Sequence, residues 1–299
     1  MMSIAPITPG HVDYYLEIAT AAYYYAGGEP EGVWLGGGAE ALGLQGRVLR
    51  RELENLMDGF SPRSRDVKLV QNAGQSGVNY QDASGEIRVR QRQQGWDFTF
   101  SAPKSVSAVW AVSPPEVRIL IQDCQFDAVR AALVYIEAEA ATCRRGRGGA
   151  EREAVRLACA AFEHGASRSN DPNIHTHVVV SNVGVRADGS TGTVESHAFY
   201  QHQRAAGAIY RAELSRLLEE RLGLRSHRAT EMQEVMGEMV PVPKSWFELD
   251  GVPESLCHEW SKRRQEVLDY AGKYGGTTAA DLEEAVINTR GKKDIRPRR

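Results

Sequence analysis

Residues 154–185 read AVRLACAAFEHGASRSNDPNIHTHVVVSNVGV, two apolar runs joined by a polar octet. The runs Ala154 to His164 and Asn173 to Val185 read as strands. Between them Gly165-Ala166-Ser167-Arg168-Ser169-Asn170-Asp171-Pro172 has the composition of a turn. Side chains two apart in a strand share a face, so His175 and His177 project together. If the two strands form a hairpin centred on Ser169-Asn170, position 164 faces position 175, and cross-strand partners share a face as well. His164 then joins the pair. Three imidazoles on one side of two strands leave coordination positions open, the layout of a catalytic metal site. An HxH dipeptide alone is weak evidence and is more often a surface or structural pair. The register-matched third histidine is what favours a metal.

Outward from this hairpin the chain alternates helices and strands irregularly. Thr8-Pro9 reads as an N-cap with proline at the first helical position, opening a helix through Tyr14 and Tyr15. Residues 27–38 are loop-rich and 46–57 helical. Trp96 to Phe100 (WDFTF) is a strand, and Pro103 opens a helix. Apolar residues recur at helical spacing from Pro115 to Thr142, until glycines 146, 148 and 149 break the chain. Asp188-Gly189 marks a tight turn. Residues 198–222 read as helix, 226–250 as shorter strands, and helices close the chain near 254–273 and 278–289. This pattern suggests an α+β fold with an antiparallel sheet. Neither an internal repeat nor a low-complexity segment is present.

Two further features bear on chemistry. Asp97, in the WDFTF strand, is placed either to accept a proton from a ligand histidine, fixing its tautomer, or to take one from a nucleophile. Its plain alternative is a strand-edge aspartate. Near the N-terminus Tyr14-Tyr15 and Tyr23-Tyr24-Tyr25 hold five of the chain's eleven tyrosines. Aromatic packing on a helix explains such clusters, and so does a phenolate nucleophile for phosphoryl transfer. A free phenol titrates near pH ~10, so attack at neutral pH needs a metal or base nearby. Attack on a phosphodiester yields a phosphotyrosyl ester of similar energy, so the strand can be rejoined without ATP. A second tyrosine would permit a second transfer while the first is occupied.

Composition excludes several classes without pointing to this one. The 299 residues, 42% hydrophobic and 25% charged, suit a soluble enzyme. No apolar run approaches the ~20 residues of a membrane helix, and no signal peptide is visible. Four scattered cysteines without a CxxC pair read as reduced intracellular thiols, which suggests a cytoplasmic location. The net charge of −3 argues against a nucleic-acid binder. Positive charge is local, at Arg144-Arg145-Gly146-Arg147, at Arg88, Arg90 and Arg92, and in the tail from Arg290 to Arg299.

Taken together, these residues resemble the MobF class of conjugative relaxases, within the HUH endonuclease superfamily. Tyr14-Tyr15 and Tyr24-Tyr25 look like its paired tyrosines, with Tyr23 as a departure. Residues 34–44 (WLGGGAEALGL) resemble the segment that follows, and 97–107 (DFTFSAPKSVS) resemble the signature around its active-site aspartate. Phe162-Glu163-His164 and Asp171 to His177, ending at Asn182, look like the three-histidine motif, and 247–253 (FELDGVP) fit the later part of the domain.

The resemblance implies a single relaxase domain over 1–299, with a core of about 1–235 and a C-terminal helical and strand subdomain of about 236–299. Its central antiparallel sheet would be flanked by helices, and its C-terminal helices would close over DNA. It implies a nicking-closing enzyme acting on single-stranded plasmid transfer-origin DNA beside a hairpin. His164, His175 and His177 would hold one divalent metal: Mg2+ or Mn2+ as the family suggests, Zn2+ as imidazole chemistry allows. Tyr14 would be the first nucleophile, Tyr24 or Tyr25 would serve a second transfer, and Asp97 would orient a histidine or assist deprotonation. Lys104, Arg168, Arg144, Arg145 and Arg147 are candidate phosphate contacts. Accessory relaxosome and coupling proteins are implied partners, without membrane insertion. No G-x-x-x-x-G-K-[ST] loop is present, and the basic end from Arg290 resembles the approach to a helicase module. A rolling-circle initiator or transposase, and an inert DNA-binding module with a structural metal, remain the alternatives, with a small-molecule metallohydrolase further off.

Overall fold

The computed structural model describes residues 1–9, 31–167, 169–235 and 237–274, together with 281, 284, 285, 288 and 289. Tyr14, Tyr15, Tyr24, Tyr25 and Arg168 lie outside the described residues, as do the basic tail from Arg290 and the side chain of Arg147.

In chain order the strands are β1 (Met2–Ile7), β2 (Val33–Leu35), β3 (Phe60–Ser61), β4 (Ser64–Lys68), β5 (Gly77–Gln81), β6 (Ile87–Gln91), β7 (Gly95–Ser101), β8 (Thr142–Arg145), β9 (Glu151–Ala154), β10 (Arg156–Ala166), β11 (Pro172–Val185), β12 (Thr191–Gly192), β13 (Ser226–Val235) and β14 (Glu238–Leu249). The helices are α1 (Gly37–Ala41), α2 (Arg50–Met57), α3 (Lys104–Val112), α4 (Pro115–Ala140), α5 (His197–Leu222), α6 (Glu254–Glu259) and α7 (Lys262–Lys273). The fold is mixed α and β around one antiparallel sheet. None of the described helices is long and apolar enough to cross a membrane.

The chain gathers into two compact units, Met1–Ser101 with Gln125–His164 and His175–Leu214, and Ala102–Cys124 with Gly165–Ile174 and Ser215–Arg299. The first unit holds the sheet, in the order β1-β7-β11-β10-β2, with β12 beside β11. Strand β7 pairs antiparallel with both β1 and β11. Its sequence alternates Trp96, Phe98 and Phe100 with Asp97, Thr99 and Ser101, so one face is aromatic and the other polar. On the aromatic face Trp96 and Phe98 both meet Phe199 of α5 edge-on, at 5.3 and 5.2 Å between ring centroids, and Phe100 lies 5.3 Å from Tyr210. Each such pair adds about 0.5–1.5 kcal/mol beyond the area buried.

On the opposite face Val179 and Val183 of β11 and Ala158, Ala160 and Phe162 of β10 join a second apolar cluster with Trp34, Leu53, Leu56 and Met57. Helix α2 buries Leu53, Leu56 and Met57, the i, i+3, i+4 stripe expected of a helix lying on a sheet, while Arg50 and Glu54 pair on its outer side at 2.8 Å. This cluster is the floor from which the polar ends of β7, β10 and β11 emerge.

In the second unit β13 and β14 form a single long hairpin where the sequence suggested several shorter strands. The ribbon runs through Pro241 and Pro243, because a two-stranded ribbon has an outer edge on each strand, where a missing N–H costs no ladder bond. The helix expected over 254–273 divides into α6 and α7. Asp171 accepts the Lys262 amide at 2.8 Å, so the helix restarts there at the cost of continuity.

Candidate metal centre

The register of β7 and β11 pairs His175 with Ser101, Thr176 with Phe100, and His177 with Thr99. The two histidines therefore sit on the polar face with Asp97, Thr99 and Ser101. His164 comes from β10, the other neighbour of β11, and shares the side of Phe162 and Ala160. The three ring centroids form a triangle with every edge 5.0 Å. One nitrogen from each ring lies within 4.8 Å of the others. His164 is buried and the other two are half-buried. The hairpin reading from sequence thus brings its three histidines together.

Three imidazoles gathered at this spacing on the end of a buried sheet fit a cation in both donor chemistry and geometry. Behind them, Asp97 is 5% exposed and its Oδ2 lies 2.7 Å from His177 Nδ1. Thr99 donates its hydroxyl to Asp97 Oδ1 at 3.3 Å and stands 3.2 Å from the same histidine nitrogen. A carboxylate on Nδ1 fixes that proton there, turns Nε2 toward the other two rings as an acceptor, and raises its basicity. Of the two roles open to Asp97 from sequence, the contact matches that of a histidine-orienting group. Thr99 is a residue that sequence reading passed over, although its position two after Asp97 on a strand places it on the same face.

The motif after β7 has structural work within the second unit. Ser107 Oγ accepts the Ile174 amide at 3.0 Å, and Ser105 Oγ accepts the Leu249 amide at 2.9 Å. Lys104 donates to the Pro172 carbonyl at 2.8 Å, and burial lowers its pKa against the opposing pull of Asp171. Asp171 is buried, its carboxylate accepts the Lys262 amide, and its own N–H donates to Ser167 Oγ at 3.1 Å. Lys104 thus holds the start of β11.

The arginines on β8 stand elsewhere in the first unit. Arg144 and Arg152 each reach Glu195 at 2.7 Å, and Arg145 reaches Glu153 at 2.8 Å and Asp188 at 2.9 Å. The two guanidinium groups hold the Glu195 carboxyl below its ordinary pKa. A cavity of about 830 Å³ opens beside them, lined among others by Lys68, Arg144, Arg186, Thr191 and Thr193. Arg92, in another of the basic groups, is buried and donates to the Met57 carbonyl at 2.8 Å.

The family model described as TrwC relaxase matches residues 9–299. The multifunctional conjugation protein TraI of Escherichia coli K12 is 32% identical over 281 residues, which cover 90% of this chain and 14% of that protein. The chain therefore spans only a small part of the curated relatives that it matches. Among solved structures, a copper-bound conjugative relaxase TrwC in complex with oriT DNA is similar with a TM-score of 0.76 and 26% identity, covering 98% of this chain and 92% of that one. A metal-free complex of the same relaxase gives a TM-score of 0.72 at the same identity and coverage. A complex of TrwC with a 27-mer DNA comprising the recognition hairpin and the cleavage site gives 0.70 at 25% identity, again over 98% of this chain and 92% of that one.

Proposed function

This chain belongs to the TrwC relaxase family, and from that premise we propose that it nicks and rejoins one strand of a plasmid transfer origin. The observation that carries this reading is the triangle of His164, His175 and His177 with Asp97 behind it. A divalent cation held there would polarise the scissile phosphate and withdraw charge from it in the transition state. Mg2+ or Mn2+ is our assignment, with Zn2+ the alternative on ligand chemistry.

The chain's own residues divide the remaining work. Asp97 keeps His177 in one tautomer, so that Nε2 is always presented. Tyr14 is assigned the first attack, on the resemblance of its sequence segment. Its phenolic oxygen bonds to phosphorus, its proton passes to a base or water, and the bond from phosphorus to the 3′ oxygen breaks. The 3′ oxygen takes up a proton, and the 5′ phosphate stays on the tyrosine. Religation reverses each of these steps. Tyr24 or Tyr25 is assigned the second transfer, with Tyr15 as the partner of Tyr14. The substrate is single-stranded DNA beside a hairpin, and relaxosome and coupling proteins are the partners assigned. Arg168 and Arg147 are kept as phosphate contacts from sequence. A phosphate at Arg144 or Arg145 would have to compete with the carboxylates already on them.

Labelled single-stranded oligonucleotides tiling the replicon that encodes the chain test this directly. A protein–DNA adduct that survives denaturation should form at one site, require a divalent metal, and disappear in Tyr14→Phe. Absence of any adduct across the tiling with Mg2+, Mn2+ and Zn2+ would sink the reading, and a full adduct from Tyr14→Phe would reassign the nucleophile.

A further inference from the structure

The two histidines of β11 flank Thr176, whose side chain points the other way, into the helix-covered face. Thr176, Gln125 of α4 and Tyr210 of α5 are all 0% exposed. Gln125 Nε2 lies 3.2 Å from the Phe100 carbonyl and 3.2 Å from Thr176 Oγ1, and Tyr210 donates its hydroxyl to Gln125 Oε1 at 2.6 Å. The amide can be oriented in only one way. A backbone carbonyl only accepts, so the NH2 end must face Phe100 and the oxygen must face the phenol. Complete burial raises the Tyr210 pKa far above the ordinary phenol value, so its proton is always available to donate.

Both contacts of the amide fall on one cross-strand pair. Phe100 and Thr176 are register partners, lying between the pairs Ser101 with His175 and Thr99 with His177. A slip of one residue would turn both histidines to the helix face. A slip of two would keep their face but carry them ~7 Å along β7, away from Asp97. The next side chains of β11 on the helix face, Val178 and Val180, offer no hydroxyl. In the observed register Gln125 satisfies its NH2 group on both strands, and a slip of two would set a valine opposite Phe100 and leave the buried group underpaired.

We propose that Gln125 and Tyr210 are positioning residues for the metal centre: by tying Thr176 Oγ1 to the Phe100 carbonyl they lock the register that brings His175 and His177 to His164 and Asp97. The claim about metal rests on the three histidines being its ligands. The claim about register does not, and the two are measured separately.

The variants are Thr176→Val, of nearly the same shape without the hydroxyl, Gln125→Met, Tyr210→Phe, and Thr176→Ser as the conservative rescue. The probes are Mn2+ affinity by calorimetry, the paramagnetic resonance spectrum of bound Cu2+, and hydrogen exchange of the amides at 175–177 in metal-free protein. Thr176→Val and Gln125→Met should weaken Mn2+ binding about tenfold, the low end for residues that orient ligands from behind. They should also shift the Cu2+ spectrum and speed exchange at 175–177. Tyr210→Phe should do the same to a smaller extent, and Thr176→Ser should return all three readouts to within twofold of the parent. Should Thr176→Val not fold, Tyr210→Phe and Thr176→Ser decide. Folded variants with unchanged Mn2+ affinity, Cu2+ spectrum and exchange overturn the proposal, even if their melting temperature falls. If the parent protein takes up no metal, the histidine reading fails, and exchange at 175–177 alone decides the register lock.

Discussion

The first unit carries two dense clusters of ionisable side chains, and they are built in opposite ways. At the edge of β8 the cations Arg144, Arg145 and Arg152 each face a carboxylate among Glu195, Glu153 and Asp188, so the charge is cancelled on the spot. At the ends of β10 and β11 three imidazoles face one another, and a carboxylate, Asp97, stands behind one of them. The first arrangement is complete without a ligand. The second gathers nitrogen acceptors toward one point, an arrangement that a cation bound between them would favour. Residue type alone ranks both clusters as interesting, and the pairing separates them.

The sharpest way to break this contrast is His175→Ala. Mn2+ binding measured by calorimetry and strand cleavage should both fall to background while the circular dichroism stays that of the parent. Retained cleavage would mean that the triangle is not the reaction centre. Asp97→Asn comes next. It removes the charge behind His177 and should weaken metal binding by about 10–100-fold, and an unchanged affinity would make Asp97 a bystander. At the other cluster Arg152→Ala should cost under about 1 kcal/mol in urea unfolding, because exposed ion pairs contribute little. A larger loss would show that the arginines do more than match charge.

The smallest effect concerns acid. Hydrogen bonds from Ser190 and the nearby Arg145 hold the Asp188 carboxyl at about 2, below its ordinary 3.8. The folded state thus binds the proton less tightly than the unfolded chain. The contribution is complete above the ordinary value and is lost as pH falls toward 2. Asp188→Ala should accordingly remove this small contribution at neutral pH, flatten the stability profile between those two values, and leave stability below about pH 2 unchanged.

Much of this site was legible because strands have a period of two. The alternation in WDFTFS puts Asp97 and Thr99 on one face of their strand, that in HTH puts both histidines on one face of theirs, and the length of the turn supplies His164; that the two faces coincide follows from the pairing of β7 with β11. What escaped was long-range or ambiguous. Gln125 lies in a helix that is apolar on most sides, and nothing local says that its amide reaches a strand 51 residues away. The ribbon β5–β6 also went unread. Its signal was the turn from Asp82 to Gly85, where Asp82 Oδ1 accepts the amides of Ser84 and Glu86 at 2.9 and 3.1 Å. The break before α7 also went unread, because the group that takes the first helical amide there is Asp171, 91 residues earlier in the chain, while the Ser261 hydroxyl turns back to the Cys257 carbonyl. Lys104 shows what a motif cannot say about a side chain's other contacts. A lysine in a motif suggests a phosphate partner, and a phosphate here would have to share the ammonium with the Pro172 carbonyl on a half-buried side chain.

Asp171 has a consequence for how this chain tolerates change. Its backbone N–H and carbonyl close the turn before Pro172 on Ser167, while its carboxylate caps a helix that begins 91 residues later. Chain length between those points is free to drift at the exposed tips, near Asp188-Gly189 or Gly237, without disturbing either end. Residues shared by two anchorages have no such latitude. Insertions and circular permutation breakpoints should therefore concentrate at the tips, and the octet between the two long strands should keep its length.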